Sequence, residues 1–568
     1  MPDNGRHGGS ASRRRSLARP ARPRPTLRQY RLRRTVAIGA AVVLVIVIAV
    51  VAHSAFASRG SGAHARVRNA QGPGPVTKGG GHAAAAPSAT THVAPQGVVA
   101  TWVQTENAKP GTKDWAVTKP ATKHQIEGYG DQVSIDVGGH LALYVSTSAP
   151  SYQVSAYRMG YYGGAEGHLV WTSPTTPGKK EAACPVTAAV RMVQCEWTDP
   201  LQVQTNPTDW PQGDYLFKLQ SRDGYQSYVP LTIRDDTSHS AYLINNSVTT
   251  WQAYNQYGNY SLYTGPTPSG GSALADRAYT VSFDRPYDFA EGDGDGSGDF
   301  SNEELRMVSV AESLGLDVSY ATDVDLDAHP AMVLHHHAFV SLGHDEYYTL
   351  AMRNGLQSAR DAGVNLLFMA ANAVYRHVRL QPSPLGPGRQ EVDYKDSTLD
   401  PVKDPALVTS AAWRSPPNNN PESSLLGEMW RCNPVHGDMV IIDPNNWIMA
   451  GTGLGAGAKI TGAIEAEYDS YRAADPGPKN VELVARSPIT CVGRSDHADT
   501  TYYTAPSGAG VFDSGSLGFI GGLVTDPQPG TPEASVTTMT KNLLSGFGAG
   551  PAGRAHPSVP NNSAYPDG

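Results

Sequence analysis

The chain has 568 residues, of which 17% are charged, and a net charge of −7. That value hides an asymmetry: residues 1–34 hold eleven Arg and one Asp, so the remaining chain carries −17. An acidic body excludes a nucleic-acid-binding role, and the length is enough for two or three domains with a large core.

Thr35 to Ala52 is an 18-residue run without a charge. With the arginines before it, this predicts a transmembrane helix over 35–57, residues 1–34 as a basic cytoplasmic segment, and the body outside the membrane. The competing reading is secretion after cleavage near Ala57, because Ala55-Phe56-Ala57 has the A-x-A form of a signal-peptidase site. Residues 58–96, rich in Gly, Ala, His and Pro and without an acidic residue, read as a flexible linker.

From 97 to 236 the pattern alternates and is rich in turns, as in Leu141-Ala-Leu-Tyr-Val-Ser and Gly213-Asp-Tyr-Leu-Phe-Lys-Leu, which predicts a β-sandwich domain. Cys184 and Cys195 flank a hairpin pattern there. Cys432 and Cys491 are the remaining two of four cysteines, and an even count in an exported chain favours two disulfides.

From 237 to 550 strands and helices alternate, which predicts an α/β domain with a mostly parallel sheet. Asn302 to Leu314 reads as a helix with Ser301 and Glu304 as a capping box. Just before it, Asp293, Asp295, Ser297, Asp299 and Glu304 have the spacing of a calcium loop, so Ca²⁺ is one reading and an acidic surface loop the other. The series Trp251, Tyr254, Tyr257, Tyr260, Tyr263 is spaced by three and reads as packing or as the lining of a pocket. His335-His336-His337 cannot all face one ion on a strand, since side chains alternate, and reads as a polar lead-in to the next strand. Residues 381–450 read as loop-rich and 551–568 as a disordered tail.

The most informative stretch is Phe339-Val-Ser-Leu-Gly-His344-Asp345-Glu346-Tyr347-Tyr348, then a helix closed by Gly363, then Asn365-Leu-Leu-Phe-Met-Ala-Ala-Asn372-Ala-Val-Tyr375. Parallel strands joined by a right-handed crossover put both loops at one edge of the sheet, where open α/β sheets bind ligands. His344, Asp345 and Glu346 are therefore candidate general bases or orienting groups.

This stretch, through Ala359-Arg-Asp-Ala-Gly-Val-Asn365, resembles the large (beta) subunit of N,N-dimethylformamidase and its relatives. Further matching segments are Tyr157-Arg-Met-Gly-Tyr-Tyr-Gly-Gly164, Thr250 to Tyr263, Arg285-Pro-Tyr287, Leu316 to Asp323, Glu467-Tyr468-Asp469 and Ser507 to Phe512. The resemblance implies a β-sandwich packed on an α/β domain related to the glutamine-amidotransferase-like fold. It also implies a mononuclear Fe(III) held by two tyrosines and a glutamate, which by motif are Tyr347, Tyr375 and Glu467, with Glu465 the rival of Glu467. The implied activity is metal-dependent hydrolysis of amide C–N bonds in a small linear amide. The alternative is a non-enzymatic cell-surface binding or scaffold protein that keeps the fold. The resemblance implies a small amide as partner; the apolar N-terminal run adds the membrane, and a homo-oligomer of further copies of the chain is a third expectation.

Overall fold

The computed structural model describes residues 90–290, 296–404, 407, 409 and 412–565. The expected transmembrane helix requires correction. The described chain is strand-rich, and among the described residues no helix is long and apolar enough to cross a membrane. Residues 35–57, on which that expectation rested, lie outside the described residues, as do the basic segment 1–34 and most of the 58–96 linker.

The N-terminal half of the described chain forms two facing antiparallel-rich sheets. One pairs Leu201–Gln204, His140–Thr147 and Ile126–Gly130. The other runs Ser134–Asp136, Gln226–Arg234, Gly213–Ser221, Ser151–Met159 and Gly167–Thr172. Alternation drives this packing. Leu141, Leu143, Val154, Phe217, Leu219, Leu231 and Ile233 are buried between the sheets, with Trp210 stacked on Tyr215 and Phe217. The hairpin Val186–Thr187/Met192–Val193 is closed by the Cys184–Cys195 disulfide, and Cys432 is bonded to Cys491.

The second half is built on one seven-stranded sheet. Its strands are β1 (Tyr242–Asn246), β2 (Val318–Thr322), β3 (Ala338–Ser341), β4 (Asn365–Phe368), β5 (Glu482–Cys491), β6 (Arg494–Thr504) and β7 (Gly510–Asp513), in the order β2-β1-β3-β4-β7-β6-β5. The first five in that order are parallel, and β6 and β5 continue antiparallel. β1 lies between β2 and β3, so the chain leaves it to both sides. Such a switch point opens a crevice at the C-terminal strand ends. Helices α1 (Val248–Tyr254), α2 (Leu305–Ser313), α3 (Asp323–Ala328), α4 (Leu350–Ala362) and α5 (Pro532–Gly548) pack around the sheet. α4 follows the sequence closely: Thr349 accepts a hydrogen bond from the Met352 amide at its start, and Gly363 ends it at φ +103°, a conformation suited to glycine.

One sequence expectation is refined and two change. Residues 381–450 are loop-rich, as expected, but they also carry strands: Arg379–Ser383 and Gly386–Val392 form a hairpin, and Met429–Val440 pairs with Lys459–Ser470. These ribbons lie outside the main sheet and are half-polar, so no apolar run announces them. The tail expected to be disordered is docked as far as it is described. Asn561 exchanges two hydrogen bonds with the Leu483 main chain, and Ser558 bonds Thr504. The capping box at Ser301 does not form, because helical structure starts earlier, at Ser297. Glu304 instead accepts from the Ser247 hydroxyl and from the Trp251 indole at 2.8 Å. That engages one carboxylate oxygen expected of a calcium loop. Asp293 and Asp295 lie outside the described residues.

The sandwich and the α/β sheet meet across a buried polar seam. Asp214 Oδ1 accepts from Thr232 Oγ1 at 3.0 Å and Asn246 Nδ2 at 2.6 Å, while Oδ2 is buried without a partner. Burial, only partly offset by those two donors, pushes its pKa from 3.8 up to about 7. A raised carboxylic pKa contributes stability that is present below the unfolded value and lost as pH rises through the folded one. The parent should therefore lose stability between roughly pH 4 and pH 7, by about 1.4 kcal/mol for each pH step of one across that window, and Asp214→Asn should remove this loss. Urea midpoints measured across that range should be flatter in the variant. Parallel curves would show that Asp214 does not titrate there.

Candidate functional site

The loops after β3 and β4 lie side by side. The amides of Tyr375 and Arg376 both donate to the Glu346 carbonyl, at 3.0 and 2.8 Å, and Tyr347–Tyr348 pairs in parallel with Arg376–His377. The register sets Tyr347 opposite Arg376, so Tyr375 is one residue out of step with Tyr347. Asn372 and Val374 adopt φ of +61° and +55°, and Ala466, beside Glu467, adopts +65°. Left-handed backbone at non-glycine residues costs about 1–3 kcal/mol each and gathers at functional sites.

His344, Asp345, Glu346, Tyr347 and Glu467 are all buried. His344 Nε2 is the hub: it lies 3.5 Å from Glu346 Oε2, 4.0 Å from Glu467 Oε2 and 3.3 Å from Asn372 Nδ2. Glu346 accepts from Tyr254 at 2.9 Å, from Tyr263 at 3.0 Å and from Arg376 Nε at 3.1 Å. Burial opposes its ionisation, but His344, Arg376 and Lys395 together with the Tyr254 hydroxyl outweigh that and hold its pKa below the usual value. Tyr347 joins the network through Tyr263, 2.7 Å away, and receives Lys395 Nζ at 2.7 Å. Burial, with the nearby Glu346 charge, drives the Tyr347 pKa well up. Lys395 is lowered to about 7 by burial and by Arg376.

The sequence-predicted residues therefore divide. His344, Glu346, Tyr347 and Glu467 share one hydrogen-bonded and charged cluster. Tyr375 is placed beside it, its ring against Trp430 at 5.2 Å and under the Arg376 and Arg414 guanidinium groups at 4.6 and 5.2 Å. Asp345 is bonded to Ser341 Oγ at 2.6 Å and Tyr348 Oη at 2.5 Å, and burial raises its pKa to about 6. These bonds tie its loop to β3 and suit a positioning role. Glu467 is the buried member of the Glu465/Glu467 pair, and its Oε1 accepts from Asn433 Nδ2 at 3.0 Å.

Lys395, Arg376, Asn372 and Asn433 complete the cluster; Asn372 lies in the singled-out stretch ahead of Tyr375, and the other three carry no motif. Tyr254 and Tyr263 were signalled by the spacing of three. Tyr260 packs with them against the cluster that holds Tyr347, whereas Trp251 packs on Phe300 and Tyr257 near the Cys184–Cys195 bridge. The histidine run is also structural. His336 Nδ1 lies 2.8 Å from the Ser240 carbonyl and His337 Nδ1 lies 2.6 Å from the Gly548 carbonyl.

Whether this set suits a cation can be judged from its acceptors. Asn372 Oδ1 and Asn433 Oδ1 are buried without hydrogen-bond partners, one beside His344 and one beside Glu467. A surplus of buried oxygen acceptors near a phenol and a carboxylate fits a hard cation in donor type. Among the described residues no group of three His, Cys, Asp or Glu side chains has metal-site geometry, so the phenols would have to supply the remaining ligands.

Fold and site together define a class, in which a β-sandwich is seated on an α/β sheet and the sheet's C-terminal edge carries a buried cluster of phenols, carboxylates and an imidazole. The chain belongs to the N,N-dimethylformamidase beta subunit-like family: the family model described as "N,N-dimethylformamidase beta subunit-like, C-terminal" matches residues 153–532. A curated relative, the N,N-dimethylformamidase beta subunit of Alcaligenes sp, is 23% identical over 294 residues, covering 43% of this chain and 36% of the relative. The match thus spans about a third of that relative's length. Among solved structures, a Paenibacillus sp. cycloisomaltooligosaccharide glucanotransferase complexed with cycloisomaltoheptaose aligns at 8% identity over 48% of this chain and 34% of its own. Its TM-score of 0.14 is too low to define a shared fold.

Proposed function

We propose that the protein is a metal-dependent hydrolase of small linear amides, working in an oxidising compartment. The observation that carries this reading is the position of His344 Nε2 between Glu346 and Glu467 at a buried sheet edge. Tyr347, Tyr375 and Glu467 would hold a ferric ion, which when bound supplies a Lewis acid for an amide carbonyl. His344 would accept and return a proton at Nε2, with Glu346 stabilising its charged form. Asn372 fixes the imidazole, and Lys395 steadies charge on the Tyr347 oxygen. The two disulfides support the compartment.

The test is elemental analysis of the purified protein alongside amine release from N-alkylformamides. Close to one iron per chain, with turnover that falls on chelation, is the expected result. Iron-free protein from iron-replete cells, inactive after iron is added back, would sink the reading. One observation favours the second reading, a binding or scaffold module. Glu346 already accepts from Tyr254, Tyr263 and Arg376, as a structural carboxylate would. That reading requires full solubility and stability with no metal and no turnover.

A further inference from the structure

The outer face of the sandwich carries a cleft of about 310 Å³, remote in sequence from the loops of the candidate site. That volume is at the lower end of the roughly 300–1,000 Å³ typical of small-ligand sites. Its floor comes from two neighbouring strands in register, with Lys218 opposite Ser155 and Gln220 opposite Gln153, and its wall includes Lys113 and Asp114.

Lys218 is the anomaly. It is 8% exposed, yet among the described residues it forms no ion pair. Its Nζ donates to two main-chain carbonyls, Asp114 at 2.7 Å and Ala116 at 3.0 Å. An ammonium group has three protons, so one remains for a further acceptor. A buried charge is costly unless it is paired as well as hydrogen-bonded. The single carboxylate lining the cleft, Asp114, is exposed, and among the described residues it forms no ion pair with Lys218. Gln153 Nε2 bonds the Ser173 carbonyl and Gln220 Oε1 accepts from Gln226, which leaves the Gln220 amide nitrogen as a further donor facing the cleft.

We propose that this cleft binds a small oxyanion, a carboxylate or a phosphate, whose charge pairs with Lys218 and is steered in by Lys113. Burial, opposed by Asp114, also lowers the Lys218 pKa, as expected of an ammonium short of counter-charge. The proposal does not depend on the amide-hydrolase reading.

The test is equilibrium dialysis of the purified chain against radiolabelled inorganic phosphate and, separately, acetate, with glucose as the neutral control. One saturable site per chain is expected for at least one anion. Lys218→Met should weaken it about tenfold or more, the scale of one lost charge-assisted contact, and Lys113→Ala should weaken it less. Phosphate binding alone would assign a phosphate-bearing ligand, and acetate binding alone a carboxylate-bearing one. Because Lys218→Met risks misfolding, Lys113→Ala must by itself reduce anion affinity. No saturable binding of either anion, binding unchanged in both variants, or binding of glucose in their place would overturn the proposal.

Discussion

Glu312→Ala is expected to be among the most destabilising single changes in the protein, at about 3–5 kcal/mol. Arg158 and Glu312 meet with side chains fully excluded from solvent, Nη2 to Oε1 at 2.6 Å and Nη1 to Oε2 at 3.1 Å. Glu312 also accepts from Tyr320 at 2.6 Å and from Asn107 at 2.9 Å. Its removal would leave a buried guanidinium with only the Gln212 carbonyl and the Tyr162 hydroxyl, and would strip an acceptor from Tyr320. Arg158 stands on a sandwich strand and Glu312 on α2, so the loss falls on the contact between the two layers. Chemical denaturation followed by tryptophan fluorescence would measure it. The double variant Arg158→Met, Glu312→Leu should recover much of the loss, because an apolar pair of similar volume avoids the desolvation cost. A single variant within about 1 kcal/mol of the parent would show, by the same standard, that the pair is solvated in solution.

The second large effect concerns the candidate site and separates two roles that one activity assay would merge. Glu467→Gln is expected to lose both the metal and turnover. His344→Gln is expected to keep the metal and lose turnover by about 10²–10⁴, the usual worth of a positioned acid–base group. Metal content by mass spectrometry and initial rates of amine release give the two readouts. If Glu467→Gln retains a full complement of iron, Glu467 is not a ligand. If His344→Gln turns over at the parental rate, the imidazole does not move the proton.

The strand–loop–helix–strand unit around α4 was legible because local signals agreed. Thr349 capped the helix, Gly363 closed it, and apolar runs flanked it on both sides. The topology then followed from the handedness of the crossover. Lys395 and Asn433 were not legible: Lys395 lies in the loop that follows the Gly386–Val392 strand, and Asn433 on a ribbon whose Pro and Gly content resembles loop. Their approach is a tertiary result, with Lys395 brought 48 positions back to Tyr347. Tyr375 illustrates a different limit. Motif order placed it with Tyr347, but the register of a two-residue parallel pair decides which neighbours each tyrosine meets. Arg158 lay inside a family motif, and its burial against α2 could not be foreseen without knowing how the layers pack.

The docking of residues 558–562 bears on how the sheet ends. β5 is the last strand in the order, and a terminal strand displays a row of unused amides and carbonyls that invites a second molecule to add on. Along β5 that row is interrupted by Ile442 and Asp443, whose amides bond the Val484 carbonyl, and by the Asn561 side chain, which satisfies both polar groups of Leu483 as a neighbouring backbone would. The segment thus works as a seal against self-association, and shortening the chain ahead of Asn561 would be felt first as stickiness between molecules rather than as loss of the fold.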